Sequence, residues 1–133
     1  MADLSNYAET LLLTWLLTTS SATRPTAWFA SLHTDDPGET GANELSTGTD
    51  ADYLRQSITF TDPVTDSGEI LSNLQASWTA AAGASNYTIK YVCIWDAATV
   101  GNVLVKAELV IPEDMTATDT FAVASTKYKV TMA

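Results

Sequence analysis

The sequence predicts a mainly β protein, an antiparallel β-sandwich of about seven strands preceded by one N-terminal α-helix. Three observations predict it. Apolar residues near the start recur at helical spacing, at Leu4, Tyr7, Ala8, Leu11, Leu12, Trp15 and Leu16. From Thr26 onward the apolar period shortens to two, the repeat of a strand with one face inward. Turn-forming residues then cut the chain into segments of strand length. At 133 residues the chain suits one domain, with residues 1–20 as the helix and residues 26–133 as the sandwich.

The helix spans Leu4 to Leu17 on this reading. Asn6 followed by Glu9 looks like a capping box, with Asp3 and Ser5 as alternative caps. Leu13 and Leu17 widen the apolar stripe beyond one face, which predicts cover on more than one side. Pro25 bars continuation. Trp28, Ala30 and Leu32 share a face in the first strand, Thr26 to His33. In Tyr53 to Thr61, Leu54, Ile58 and Phe60 point one way, and Arg55, Ser57 and Thr59 the other. Ile70 to Thr79 is a weaker strand. Thr88 to Trp95 becomes apolar on both faces, as a central strand does. Val103 to Val110 alternates with Lys106 and Glu108 outward; Phe121 to Val123 and Lys127 to Met132 complete the set. Turns are expected at Asp62-Pro63, Ser67-Gly68, Gly83 to Asn86, Val100 to Asn102 and Pro112 to Asp114. The strands from Thr88 and Val103 should form a hairpin with Ala97 to Asn102 at its turn. Residues 35–52 are the longest apparent loop.

Composition narrows the function. With 46% hydrophobic residues the chain can bury a core. Its 16 acidic residues against 6 basic ones, net −10, leave few cations to neutralise phosphates, so nucleic acid is set aside as a partner. The acidity reads as colloidal repulsion. No apolar run approaches the ~20 residues that span a bilayer, so no membrane partner is expected. The start lacks the basic residues of a signal peptide. A single cysteine, Cys93, excludes an internal disulfide and lies in an apolar strand, where burial raises the thiol pKa.

The stretch "WFASLHTDDPGETGANE" holds the only histidine, His33, followed by Asp35, Asp36, Glu39 and Glu44. One histidine gives zinc too few nitrogen and sulfur ligands, and no Gly-x-Ser-x-Gly elbow presents a serine nucleophile. The four acids offer hard oxygens to calcium, but without the spacing of a calcium loop. Asp36-Pro37-Gly38 is also what a plain turn requires, and that reading is preferred. The stretch is therefore a strand running into an acidic turn and loop, with no catalytic residues, no metal and no cofactor. On this view His33→Ala and Asp35→Ala leave fold and assembly largely intact. Arg55, one of two arginines, lies near Glu44, Asp50 and Asp52 in sequence and is expected to fix the loop through a two-pronged carboxylate contact, with Glu44 named as its partner. The four tryptophans are read chiefly as core filling, with sugar stacking or interface anchoring as the functional alternatives.

The opening "LSNYAETLLLTWLL", the strand leading into "LHTDDPGETG", "YLRQSITF", the hairpin "YVCIWDAATVGNVLVKAEL" and the closing "TDTFAVASTKYKVTMA" come in an order that resembles small virion proteins of tailed bacteriophages, commonly described as tail fibre proteins. Cys93 stands where a small residue such as glycine is expected, and Val100-Gly101 where that family favours Gly-Gly. The resemblance implies a β-sandwich virion component, made in the host bacterial cytoplasm, that contacts other virion proteins on head or tail and carries no catalytic residues. Together these readings predict a homo-oligomeric structural module, fibre-like or head-decorating. The alternative is a module that binds host-surface glycans. The apolar helix surface of Leu4, Tyr7, Leu11, Leu12, Trp15 and Leu16 is the expected contact with sister subunits or the particle.

Overall fold

The computed structural model describes residues 2–63 and 68–132. Its fold is mainly β, with one N-terminal helix and antiparallel pairing throughout, as the sequence predicts. Nine strands are present among the described residues: β1 (Ala2–Leu4), β2 (Trp28–His33), β3 (Gln56–Ile58), β4 (Glu69–Leu71), β5 (Ala76–Thr79), β6 (Tyr87–Trp95), β7 (Val103–Met115), β8 (Thr120–Val123) and β9 (Lys129–Thr131). The helix α1 runs Asn6–Leu17. A five-stranded sheet has the order β1-β7-β6-β2-β3, and β4 pairs with β9 and β5 with β8.

The central strand β6 is the one whose sequence is apolar on both faces, and the sheet order explains why. Ile89, Val92 and Ile94 join a core shared with Trp78 of β5, Tyr128, and Val130 of β9. Cys93 and Trp95 point the other way, into a smaller cluster with Val103. Tyr128 ties the layers together by donating its hydroxyl to the Val92 carbonyl at 3.1 Å. The β6–β7 hairpin forms where expected, with Trp95 opposite Val103.

Several elements depart from the sequence reading. Leu4 belongs to β1, opposite Val105, and not to the helix. A three-residue strand is too short to show a period. The helix cap is Ser5, whose hydroxyl accepts from the Ala8 N–H at 3.2 Å and donates to the Val103 carbonyl, so the proposed Asn6–Glu9 capping box does not form. The Ile70 to Thr79 candidate splits into β4 and β5: Ser72 still bridges Phe60, and the chain then bends at Leu74 before β5 takes a different partner strand. Pro112 lies inside β7, not in a turn: Glu108 faces Tyr91 while Glu113 faces Ile89, so residues 109–112 form a bulge that accommodates a proline without an N–H. The turn falls later, where Asp119 caps the Thr116 N–H at 2.8 Å. Ser67, half of the turn expected at Ser67-Gly68, lies outside the described residues.

Candidate functional site

Two regions carry the residues that the sequence singled out. The first is the acidic segment after β2, which folds back on the sheet instead of extending into water. His33 bridges to Glu44, and the backbones of Leu32 and Thr34 meet those of Leu45 and Asn43. Pro37, Leu45 and Asp50 are buried. The Asp50 carboxylate accepts from the Ala81 N–H at 3.0 Å and from the Tyr87 hydroxyl at 2.9 Å, so this acid closes the loop against the far end of β6. Gly41, at φ 76°, passes so close to the Trp95 ring that an added Cβ would lie 2.2 Å from a ring carbon.

His33 ends β2, as expected, but it is fully buried and not a surface residue, so His33→Ala would empty a packed site, against the expectation that it leaves the fold largely intact. Its ring stacks on Trp95 with 6.5 Å between centroids. The Ala42 carbonyl, 2.7 Å from Nδ1, can only accept, which makes Nδ1 the protonated nitrogen and Nε2 an acceptor. The Ser31 hydroxyl therefore donates to Nε2 at 2.8 Å, while Trp95 Nε1 donates to Ser31 at 2.8 Å. A serine beside a histidine invites a nucleophilic reading. Here both are sealed from solvent and the serine oxygen already accepts from Trp95, so no substrate carbonyl can reach it. Two residues apart on one strand, the pair shares a face, a signal present in the sequence. Burial lowers the His33 pKa below its ordinary value despite the Ala42 contact and the charge of Glu44. Burial likewise pushes the Cys93 thiol up to about 12, far from a reactive thiolate.

The structure brings Arg55 and Glu44 together. Arg55 Nε and Nη2 donate to the two Glu44 carboxylate oxygens at 2.8 and 2.7 Å, and the Arg55 side chain is 8% exposed. The guanidinium lies 3.5 Å from the Trp95 ring centroid, and Nη1 donates to the Ala97 and Val100 carbonyls. Tyr53 adds a hydroxyl bond to Glu44 at 2.9 Å. Burial opposes the charge on Glu44, yet the hydrogen bonds from Arg55 and Tyr53 outweigh it and hold the carboxyl below its ordinary pKa. The clamp also steadies a hairpin tip in which Val100 and Gly101 both have positive φ, a conformation that a β-branched residue rarely adopts. Glycine at position 100 would adopt this φ without steric cost.

The remaining acids go separate ways. Glu39 accepts from the Asn6 N–H at 2.7 Å and from Lys106 at 3.2 Å, tying the loop to the start of α1, and Asp35 pairs loosely with Lys90. Among the described residues no group of three or more His, Cys, Asp or Glu side chains is placed to hold a metal ion.

The second region is α1. None of its residues is buried. Leu11 and Leu12 are half-covered, Tyr7, Leu13 and Leu16 are exposed, and Trp15 and Leu17 are 68% and 77% exposed. Leu4, named with this surface in the sequence reading, is separated from it in β1 and packs against the core. The structure adds a second apolar exposure that sequence reasoning missed: Val110 and Ile111, in the β7 bulge, are 97% and 76% exposed. Their signal was the run Leu109-Val110-Ile111-Pro112, whose adjacent branched residues cannot all face inward in a strand. Of the four tryptophans only Trp15 is exposed; Trp78 and Trp95 are core and Trp28 is half-buried, which leaves little aromatic surface for stacking on sugars.

No helix of the described residues is long and apolar enough to cross a membrane. The family model of the podophage GP4 fiber I protein gp80 matches residues 3–131. No curated protein matches the chain. The chain belongs to this podophage fibre family, which bears out the resemblance read from its sequence: it is a non-enzymatic structural protein of the virion, associated with other virion proteins.

Proposed function

We propose that the chain works as a homo-oligomeric surface module of the fibre, held to its sister subunits through α1. One observation carries this reading: a twelve-residue helix, apolar around most of its circumference, has no buried residue in the single chain. Helices this short are marginal in water on their own, and burying each Leu is worth ~1.5–3 kcal/mol, so the wet helix calls for a partner.

The reading is tested with Leu13→Gln, Leu16→Gln and Leu17→Gln combined, a variant that spares β1 and the Ser5 cap and so leaves the sheet intact. Light scattering should give a multiple of the 14.2 kDa chain mass for the native protein and the chain mass itself for the variant. A native protein that stays monomeric at high concentration refutes the homo-oligomer.

A further inference from the structure

Resting on the homo-oligomeric reading, we infer that copies of this chain join head to tail, with the Val110–Ile111 finger of one copy seated in the groove between α1 and residues 21–23 of the next. The groove is a concave space of about 310 Å³ lined by Tyr7, Thr10, Leu11 and Thr14 on the helix and by Ser21, Ala22 and Thr23 on the returning chain. The finger is its convex counterpart: two branched side chains pushed out of the β7 edge by the bulge opposite Lys90. Both features are open in the single chain, so neither covers the other within one molecule. A contact between them needs a second copy, and because the two surfaces differ, it is a heterologous contact that builds rings or extended stacks.

Charge identifies the second copy as the occupant. The chain carries a net −10, so most pairs of faces on two copies repel. From Thr10 to Thr23 there is no charged residue at all, which gives an incoming acidic copy a place to approach without meeting carboxylates. Next to the groove stands Arg24, exposed and, among the described residues, without an ion pair. Beside the finger stand Glu108 and Glu113, both exposed, and Glu113 likewise makes no ion pair among the described residues. Seating the finger brings Arg24 of one copy toward Glu113 of the next, in addition to the apolar contact.

Two measurements test this. In the first, Val110→Asp with Ile111→Asp is compared with the native chain by light scattering and sedimentation. These side chains are exposed, so the fold should persist by circular dichroism while self-association weakens ~10-fold or more. In the second, Thr14→Cys and Ile111→Cys chains are oxidised separately and mixed; the buried Cys93 does not compete. Disulfide-linked dimers confined to the mixture support the head-to-tail contact. Linked dimers of Thr14→Cys alone mean that helix meets helix, and they overturn it. If the native chain is oligomeric and the double Asp variant equally so, the finger is not the contact, although the homo-oligomer stands. If the native chain is a monomer, both readings fail together.

Discussion

The acidic segment between β2 and β3 and the helix α1 reverse the ordinary correspondence between hydropathy and burial. The segment is rich in Asp, Glu, Thr and Gly, yet Asp50, Pro37 and Leu45 are buried and His33 lies fully inside. The helix is rich in leucine, yet none of it is buried. The difference lies in partners. The polar groups there each have one: buried Asp50 has Tyr87 and the Ala81 N–H, half-buried Glu44 has Arg55 and Tyr53, and buried His33, at the end of β2, has Ser31 and Ala42. Satisfied in this way, polar groups can leave water at tolerable cost. The leucines of α1 have few such neighbours within their own chain: Leu11 and Leu12 are half-covered, and Leu13, Leu16 and Leu17 are exposed. Burial follows the available contacts more closely than it follows the side-chain type.

The largest effect expected from a single change follows from the closest packing in the segment. Gly41→Ala places a methyl carbon 2.2 Å from the Trp95 ring and 2.7 Å from Val103, at a φ of 76° that alanine disfavours. Trp95 is held by Ser31, His33 and Arg55 and has no room to retreat. Denaturant unfolding should show a loss of about 3 kcal/mol or more. A loss below 1 kcal/mol would mean that the segment is not pinned there and that the contrast with α1 is overstated.

That contact shows where the sequence stops being legible. The period-two strands and the β6–β7 hairpin were readable because side-chain alternation and turn residues are local. β1 was not, since three residues cannot display a period. Pro112 misled, because a proline inside a strand is tolerated only at a bulge, and the bulge depends on how β6 and β7 pair. The segment's burial was hidden for a related reason: Gly41 meets Trp95, and Asp50 meets Tyr87, through contacts set by the assembled sheet. Three carboxylates, Glu44, Asp50 and Asp52, were near Arg55 in sequence; only the fold directs Glu44 to it and Asp50 to Tyr87.

The next effect in size concerns that choice. Glu44→Gln keeps the shape but leaves the nearly buried Arg55 guanidinium without its carboxylate. Removing one partner of such a pair leaves an uncompensated charge, and a loss of about 2–4 kcal/mol is expected in denaturant melts. Arg55→Met removes the charge together with its bonds and should cost less than Glu44→Gln if the orphaned cation is the main penalty. Equal losses would assign the effect to the Val100 hairpin tip, which Arg55 also holds.

Acidification should separate two members of the segment. The folded-state pKa of His33 lies below its ordinary 6.5, so the fold binds fewer protons at this site than the unfolded chain. Stability from this group is present above pH 6.5 and declines as pH falls from there toward the folded value. Glu44, also lowered from 4.5, keeps its contribution until pH falls below about that point. The native protein should therefore weaken in two steps on acidification, and His33→Gln should abolish the upper one. A single step below pH 4.5 would show that His33 titrates in the fold as it does unfolded.

The smallest effect on stability is expected at the most hydrophobic place. Leu17 is 77% exposed at the last turn of α1, and its side chain gives up almost no water contact when the single chain folds. Leu17→Gln therefore removes no buried surface, and glutamine is nearly as good a helix former as leucine. Unfolding of the dilute, monomeric protein should shift by no more than ~0.5 kcal/mol. The same substitution at concentrations where copies associate should lower the apparent melting temperature, because stability gained by binding depends on protein concentration. The comparison thus becomes one measurement made at two concentrations: the acidic segment matters equally at both, and the helix only at the higher. A Leu17→Gln chain that is destabilised equally at both concentrations would place α1 within the fold of its own subunit.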